Sequence, residues 1–283
     1  ESGAPLGYYD YYAVDDGFDL IYYPVEYEYD NYNTSTVSFN IFDNVVGVGS
    51  TNIGDVVFIN SHRTNVAAAT TTTIVSISST FRSSKLLVQL ENNEKDFVAS
   101  ELSLIHDGTD VFLSEYGSME MNNTPDFIGF GTFDAYISGS NINVDFIPNV
   151  AVALTANANV VSISNTSAVG VSSVNLAVSD IVSYKTDIAA SGSPTAVSIA
   201  SFNSPIEASY SIVSVEDMTN SQYEMFEMVT LESTVNEDSY VQYGNVYTGS
   251  DSLGTVGFDT AGGGYQLTFT PIANAEMQVR VYS

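Results

Sequence analysis

Leu102-Ser103-Leu104-Ile105 and Val111-Phe112-Leu113 flank an Asp107-Gly108 step. Two short apolar runs on either side of Asp-Gly read as strands joined by a hairpin turn, because these residues tolerate the backbone angles that a tight turn requires. The same pattern recurs in Val37-Ser38-Phe39-Asn40-Ile41, Ile74-Val75-Ser76-Ile77, Leu86-Leu87-Val88-Gln89-Leu90 and Val279-Arg280-Val281-Tyr282. Each run is bounded by Asn, Asp, Gly or Ser, the punctuation of strands and turns. Val occurs 33 times and Leu 13 times, a balance that suits a pleated, half-buried surface better than a helix. Helical periodicity is nowhere sustained beyond about 12 residues. An all-β protein is predicted.

The chain also repeats itself. Ser84-Lys85-Leu86-Leu87-Val88-Gln89-Leu90-Glu91 aligns with Ser209-Tyr210-Ser211-Ile212-Val213-Ser214-Val215-Glu216. Further anchors follow in order: Phe97 with Tyr223, Glu101 with Glu227, Tyr116-Gly117 with Tyr243-Gly244, Phe133-Asp134 with Phe258-Asp259, Phe146 with Phe269, and Pro148 with Pro271. Upstream, Ile74-Val75-Ser76-Ile77 aligns with Val197-Ser198-Ile199-Ala200. So many anchors in one order point to a tandem duplication. The expected organisation is an N-terminal arm (1–38), a first β-domain (39–164), an uncharged linker (165–172) and a second β-domain (173–283). Each copy is long enough for a two-layer sandwich, and a barrel stays open.

Composition limits the function. The 283 residues carry 34 Asp and Glu against 6 Lys and Arg, for a net charge of −28. Zero Cys removes disulfides and thiol chemistry, and two His leave little for a metal site or a triad. The longest apolar run, Val150 to Leu154, is far short of the roughly 20 residues of a membrane helix. Nucleic acid and anionic membranes both demand cations that this chain lacks. A hydrophobic fraction of 44% argues for a folded chain, kept soluble by self-repulsion and suited to salty, extracellular surroundings. It opens at Glu1 without Met or signal peptide, so a processed or excerpted sequence is expected.

Candidate chemistry is sparse. Glu101 and Glu227 occupy matching places in apolar strands, and hairpin alternation would bring Glu101 near Glu115 as a carboxylate pair. The simpler reading makes each Glu a hydrogen-bond acceptor for backbone or a Tyr hydroxyl, or a solvent-facing residue. Tyr116 and Tyr243 read as core or corner tyrosines, each followed by a Gly that permits a bulge. His106 reads as a solvated turn residue, and His62 as part of a loop after Val57-Phe58-Ile59. Gly262-Gly263-Gly264 reads as a turn, like Ser138-Gly139-Ser140-Asn141. No cofactor is expected. Calcium alone stays open, on the pairs Asp107 and Asp110, Glu216 and Asp217, Glu237 and Asp238, or Asp15 and Asp16.

The stretch Glu101-Leu102-Ser103-Leu104-Ile105-His106-Asp107-Gly108-Thr109-Asp110-Val111-Phe112-Leu113-Ser114-Glu115-Tyr116-Gly117 resembles a β-domain that recurs in virion structural proteins of marine tailed phages, notably cyanophages. Gly131-Thr132-Phe133-Asp134-Ala135-Tyr136-Ile137-Ser138-Gly139 resembles the hairpin that follows it there. The second copy diverges, with Val235-Asn236-Glu237-Asp238 in place of the turn at His106 to Asp110. The resemblance implies a non-enzymatic building block on the virion exterior: a tail fibre, a tail accessory or a capsid decoration. Its partners would be other virion proteins, in a homo-oligomer or multi-copy assembly, with no nucleic acid bound and no membrane insertion. A carbohydrate-binding adhesin or receptor-binding module is the alternative, and a depolymerase is third.

The arm differs from the rest. Residues 1–32 hold nine of the 19 Tyr and no Lys or Arg. Tyr8, Tyr9, Tyr11, Tyr12, Tyr22, Tyr23, Tyr27 and Tyr29 are the candidate interface, since Tyr offers large contact area with a polar tip. Glu26-Tyr27-Glu28-Tyr29-Asp30 would separate acid and aromatic faces if it were a strand. Docking on a neighbouring protein rich in Lys and Arg is expected, against the alternative of a cover over the first domain. The charge balance generates one prediction. Fluorescence anisotropy at physiological salt should show DNA binding no tighter than the non-specific range of about 10⁻⁴–10⁻⁶ M, and tighter binding would contradict the charge argument.

Overall fold

The structure is a computed structural model describing residues 7–14, 17–24, 49–53, 57–121, 129–164, 172–175, 180–190, 193–203, 208–231, 239–261, 264–272 and 274–283. Every regular element among them is a strand. The chain divides into two compact units, residues 1–43 and 44–283. The first contains an antiparallel hairpin of β1 (Gly7–Val14) and β2 (Gly17–Pro24), in which Gly7 faces Pro24 and Val14 faces Gly17. Tyr8, Tyr9, Tyr11, Tyr12, Tyr22 and Tyr23 lie on this ladder. Tyr27, Tyr29 and the stretch from Glu26 to Asp30 lie outside the described residues.

The second unit contains the duplication. Copy 1 comprises β3 (Gly49–Ile53), β4 (Val57–Val66), β5 (Thr72–Ser78), β6 (Phe81–Asn92), β7 (Phe97–His106), β8 (Val111–Met121), β9 (Gly131–Ser138), β10 (Asn141–Pro148) and β11 (Leu154–Ser164). Copy 2 comprises β12 (Ser172–Asn175), β13 (Asp180–Ile188), β14 (Val197–Asn203), β15 (Ala208–Asp217), β16 (Gln222–Leu231), β17 (Ser239–Tyr247), β18 (Gly254–Ala261), β19 (Gly264–Pro271) and β20 (Met277–Tyr282). Copy 1 forms a six-stranded sheet, β3-β4-β11-β6-β7-β8, and a three-stranded sheet, β5-β10-β9. Copy 2 forms β12-β13-β20-β15-β16-β17 and β14-β19-β18, the same topology strand for strand. Each copy is therefore a sandwich of two open sheets.

Alternation builds the two cores. Leu86, Val88 and Leu90 of β6 pack with Ile142, Val144 and Phe146 of β10 inside copy 1. Val213 and Val215 of β15 pack with Leu267 and Phe269 of β19 inside copy 2. Burying one such aliphatic side chain contributes roughly 1.5–3 kcal/mol, and the period of two keeps polar residues on the other face.

Pairing registers test the repeat residue by residue. Leu87 faces Glu101 where Ile212 faces Glu227, and Glu101 faces Tyr116 where Glu227 faces Tyr243. Both tyrosines therefore occupy one position of the repeat. Two other anchors need correction. Gly131 faces Pro148 and Gly254 faces Pro271, which places Val256, not Phe258, at the position of Phe133. Likewise Ile74 and Ile199 are the extra residues of matching β-bulges, so Ile74 matches Ile199 and not Val197. Each slip is two residues, and a two-residue shift preserves the inward face. Hydrophobic pattern alone cannot detect it.

The rung shared by Gly131 and Gly254 is crowded. A Cβ on Gly131 would lie 2.1 Å from the Ile147 carbonyl oxygen and 2.7 Å from Phe146 Cζ. On Gly254 it would lie 2.2 Å from Phe269 Cζ and 2.6 Å from the Thr270 carbonyl oxygen. Both copies thus seat an equivalent Phe ring where a side chain would otherwise stand. Gly131→Ala and Gly254→Ala should each lower stability by about 1–3 kcal/mol through overpacking, read as a lower urea midpoint with unchanged slope. An unchanged midpoint would refute the crowding.

Candidate functional site at the joint between the copies

Strand alternation gives each six-stranded sheet a second face. On β7, Leu102 and Leu104 enter the core of copy 1, which turns Glu101, Ser103 and Ile105 the other way. On β16, Phe226 and Met228 enter the core of copy 2, which turns Met225 and Glu227 outward. These two outward faces pack on each other. Equivalent strands meet, β7 with β16, β8 with β17 and β3 with β12. Ile105, Val161 and Ile163 of copy 1 form a third apolar cluster with Ile212, Met225, Val246 and Tyr282 of copy 2. Arg82, beside the end of β7, stacks on Tyr223 at the start of β16, so the facing strands run in opposite directions. The joint is thus a pseudo-two-fold.

Near the pseudo-axis lies the polar cluster. Lys85 Nζ donates to Glu101 Oε2 at 2.8 Å, to Tyr210 Oη at 2.7 Å and to Glu227 Oε2. An ammonium has three N–H donors, and here three acceptors use them, two of them in the other copy. Tyr210 Oη also donates to Glu227 Oε2. The Tyr116 and Tyr243 rings meet edge to face at 6.3 Å, Ser103 Oγ donates to Tyr116 Oη at 3.3 Å, and Lys85 Nζ lies 5.8 Å from the Tyr116 ring centre. Gly117 and Gly244 both adopt φ 63° at matching bulges in β8 and β17. That left-handed conformation admits glycine readily and lets the strand bend there.

Electrostatics follow from burial. Glu227 is fully buried; desolvation raises its pKa, with Lys85 opposing the rise and Glu101 adding to it. Tyr210 is pushed up to about 12, mainly by burial against the pull of Lys85. Burial works against the Lys85 charge too, but Tyr210, Glu101 and Glu227 outweigh it and hold its pKa above the ordinary lysine value. The cluster is a half-buried ammonium clamped between a buried carboxylate of copy 2 and a partly exposed one of copy 1.

A second set of charges flanks it. Arg82 Cζ lies 4.2 Å from the Tyr223 ring centre, and Arg82 Nη1 donates to the His106 carbonyl at 3.1 Å. Arg280, buried on β20, bonds to Gln278 and reaches Glu216 Oε2 at 3.4 Å. Arg82, Lys85 and Arg280 are three of the chain's six cations, and all three lie on faces turned to this joint.

Several sequence expectations change here. His106 is a buried residue, not a solvated turn residue: it ends β7, and its Nε2 lies 3.0 Å from the Phe81 carbonyl oxygen. Burial and Arg82 lower its pKa. His62 sits inside β4 opposite Ala158, not in a loop. Glu115 faces Leu102 across the ladder, one position out of step with Glu101, and so points to the opposite side. Asp107 closes the hairpin turn by accepting the Thr109 and Asp110 N–H groups at 2.7 and 2.8 Å. Asp217 does the same for Thr219 and Asn220. Asp15, Asp16, Glu237 and Asp238 lie outside the described residues. Among the described residues no group of three or more His, Asp or Glu is placed to hold a metal ion. A cleft of about 240 Å³ at the end of copy 2 is lined by Ile188, Pro194, Val197, Pro271 and Ala275; its Asp187 Oδ1 already accepts from Gln278 at 2.6 Å.

Lys85 and Tyr210 are the residues that sequence reasoning passed over, although they occupy the same position of the repeat. A cation inside an apolar strand of a chain this acidic was the available signal. Comparison with protein-family models, curated proteins and solved structures finds no match.

Removing one partner of a buried ion pair strands the other charge. Lys85→Met should therefore destabilise the unit by about 3–5 kcal/mol, and adding Glu227→Gln should recover most of that loss, both measured by urea unfolding. Because Glu227 holds its proton more tightly when folded, its contribution is fully present below the unfolded pKa near 4.5 and is lost as pH rises through the folded value. Wild type should accordingly lose Tm relative to Glu227→Gln over that rise. A constant difference would contradict the burial of the carboxyl.

Proposed function

We propose that the chain is a non-enzymatic structural protein of a tailed-phage particle, carried on the exterior and acting through protein–protein assembly. One observation carries the reading: the reactive groups the sequence offers are spent on architecture. Glu227 accepts from Lys85 of the other sandwich, Tyr116 meets Tyr243 across the joint, and Glu101 holds the same lysine from its own side. His106 ties β7 to β6, and Asp107 closes a turn. The resemblance of residues 101–117 and 131–139 to virion β-domains supports the same conclusion, as does a charge of −28, which disfavours packaged nucleic acid.

The partners are other virion proteins in a multi-copy arrangement, and tail fibre, tail accessory and capsid decoration all suit this chemistry. Immunogold labelling of intact particles, with an antibody raised against the folded chain, should mark their outer surface. Purified particles that lack the chain would refute the proposal. Saturable binding on a glycan array would favour the adhesin alternative instead.

A further inference from the structure

One histidine sits where the two sandwiches meet. His106 ends β7 and is 2% exposed. Its Nε2 lies 3.0 Å from the Phe81 carbonyl oxygen, and its Nδ1 lies 3.3 Å from Arg82 Nη1. A carbonyl can only accept and a guanidinium can only donate. The ring must therefore carry its hydrogen on Nε2 and keep a lone pair on Nδ1, which is the neutral imidazole in one tautomer. Nη1 also donates to the His106 carbonyl at 3.1 Å. One residue of copy 1 thus holds this arginine at two points, and the arginine lies over the Tyr223 ring of copy 2, 4.2 Å from its centre.

The groups around the ring decide what a proton does there. On β6, Arg82 opposes a second positive charge, while Asp107 in the turn favours one, as do the carbonyls of Phe81 and Ser79. β8 places Val111 opposite His106. Across the joint, Arg82 meets Tyr223 on β16; Tyr223 hydrogen-bonds Glu216 on β15, and Glu216 pairs with Arg280 on β20. Burial and Arg82 outweigh Asp107 and the carbonyls, so His106 holds a proton less readily than an ordinary histidine at 6.5.

We propose that His106 is an acid-operated latch on the joint: a proton taken up from solvent at Nδ1 turns its acceptor into a donor, drives Arg82 off Tyr223 and loosens this end of the joint. The Lys85 cluster sits further along β6 and is untouched by that step, so one end loosens and the sandwiches stay together. The inference goes beyond the assembly reading and does not depend on it. The neutral ring favours the closed joint, so its contribution is fully present above 6.5 and is lost as pH falls through the lower folded value. His62 supplies an internal comparison. Burial alone lowers its pKa, and its Nε2 lies 2.9 Å from Asn60 Nδ2 inside β4.

The chain has two His and no Cys, which suits two measurements on the full chain. In an NMR titration of the ring carbons, His106 should half-titrate below 6.5, and Arg82→Met should raise that midpoint while leaving His62 where it was. For the second, spin labels at Thr109→Cys and Ser250→Cys, exposed positions in copy 1 and copy 2, report the distance across this end of the joint. The distribution should widen as pH falls through the His106 midpoint. His106→Gln keeps one acceptor and one donor but takes up no proton, so it should stay narrow over the same range. Should that variant fail to melt like wild type, Arg82→Met decides: its distribution should already be wide above 6.5 and show no further step at the His106 midpoint. Four results would overturn the proposal: a His106 midpoint at or above 6.5, a midpoint unmoved by Arg82→Met, a wild-type distance insensitive to pH, or the wild-type step persisting in either variant.

Discussion

A single ammonium group holds the second unit in its arrangement. Lys85 rises from β6 of copy 1 and donates to a carboxylate of its own sandwich and to a carboxylate and a phenol of the other. Two carboxylates brought toward a pseudo-two-fold axis would repel, and burial would magnify the cost. With the lysine between them, the same carboxylates become the acceptors that fix the register of the two sheets. Aliphatic burial around Ile105, Met225 and Val246 supplies non-directional attraction, while the ion cluster selects one docking geometry from the many that attraction alone would permit.

The duplication is symmetric in topology and asymmetric at this point. Lys85 and Tyr210 share one position of the repeat, as do Glu101 and Glu227. A pairing of two copies like the second would bring two buried carboxylates together with only phenols between them. A pairing of two copies like the first would be charge-balanced. The present chain combines one of each, and Tyr210 extends the network by accepting from Lys85 while donating to Glu227. Its acidity makes the placement more telling: three of six cations lie at the joint, and few are left for the outer surface.

The all-β class, the repeat and the Asp107-Gly108 turn were legible in the sequence because they depend on local alternation and turn chemistry. The slips at Phe133 and Ile74 were not, because a shift of two residues leaves the inward pattern unchanged. His106 was misread because its sequence neighbours, Asp107 and Gly108, are turn residues, while its burial comes from Phe81 and Arg82 on the adjacent strand. The joint was the least legible feature. Lys85 and Glu227 are 142 positions apart, and neither residue's neighbours announce that an outward-looking strand face is to be covered by another sheet.

The joint also fixes how many sandwiches the unit can stack. In solenoid proteins each repeat offers two faces, so repeats can be added without limit. Here each sandwich has a single broad sheet face left after its own core is built, and the two copies spend both on each other. A third repeat like the second, inserted in the chain, would find no free partner face, and its Glu and Tyr would be stranded without a lysine from a neighbour. The pair is a terminated stack of valence two, so lengthening by gene duplication is closed to it except in whole pairs.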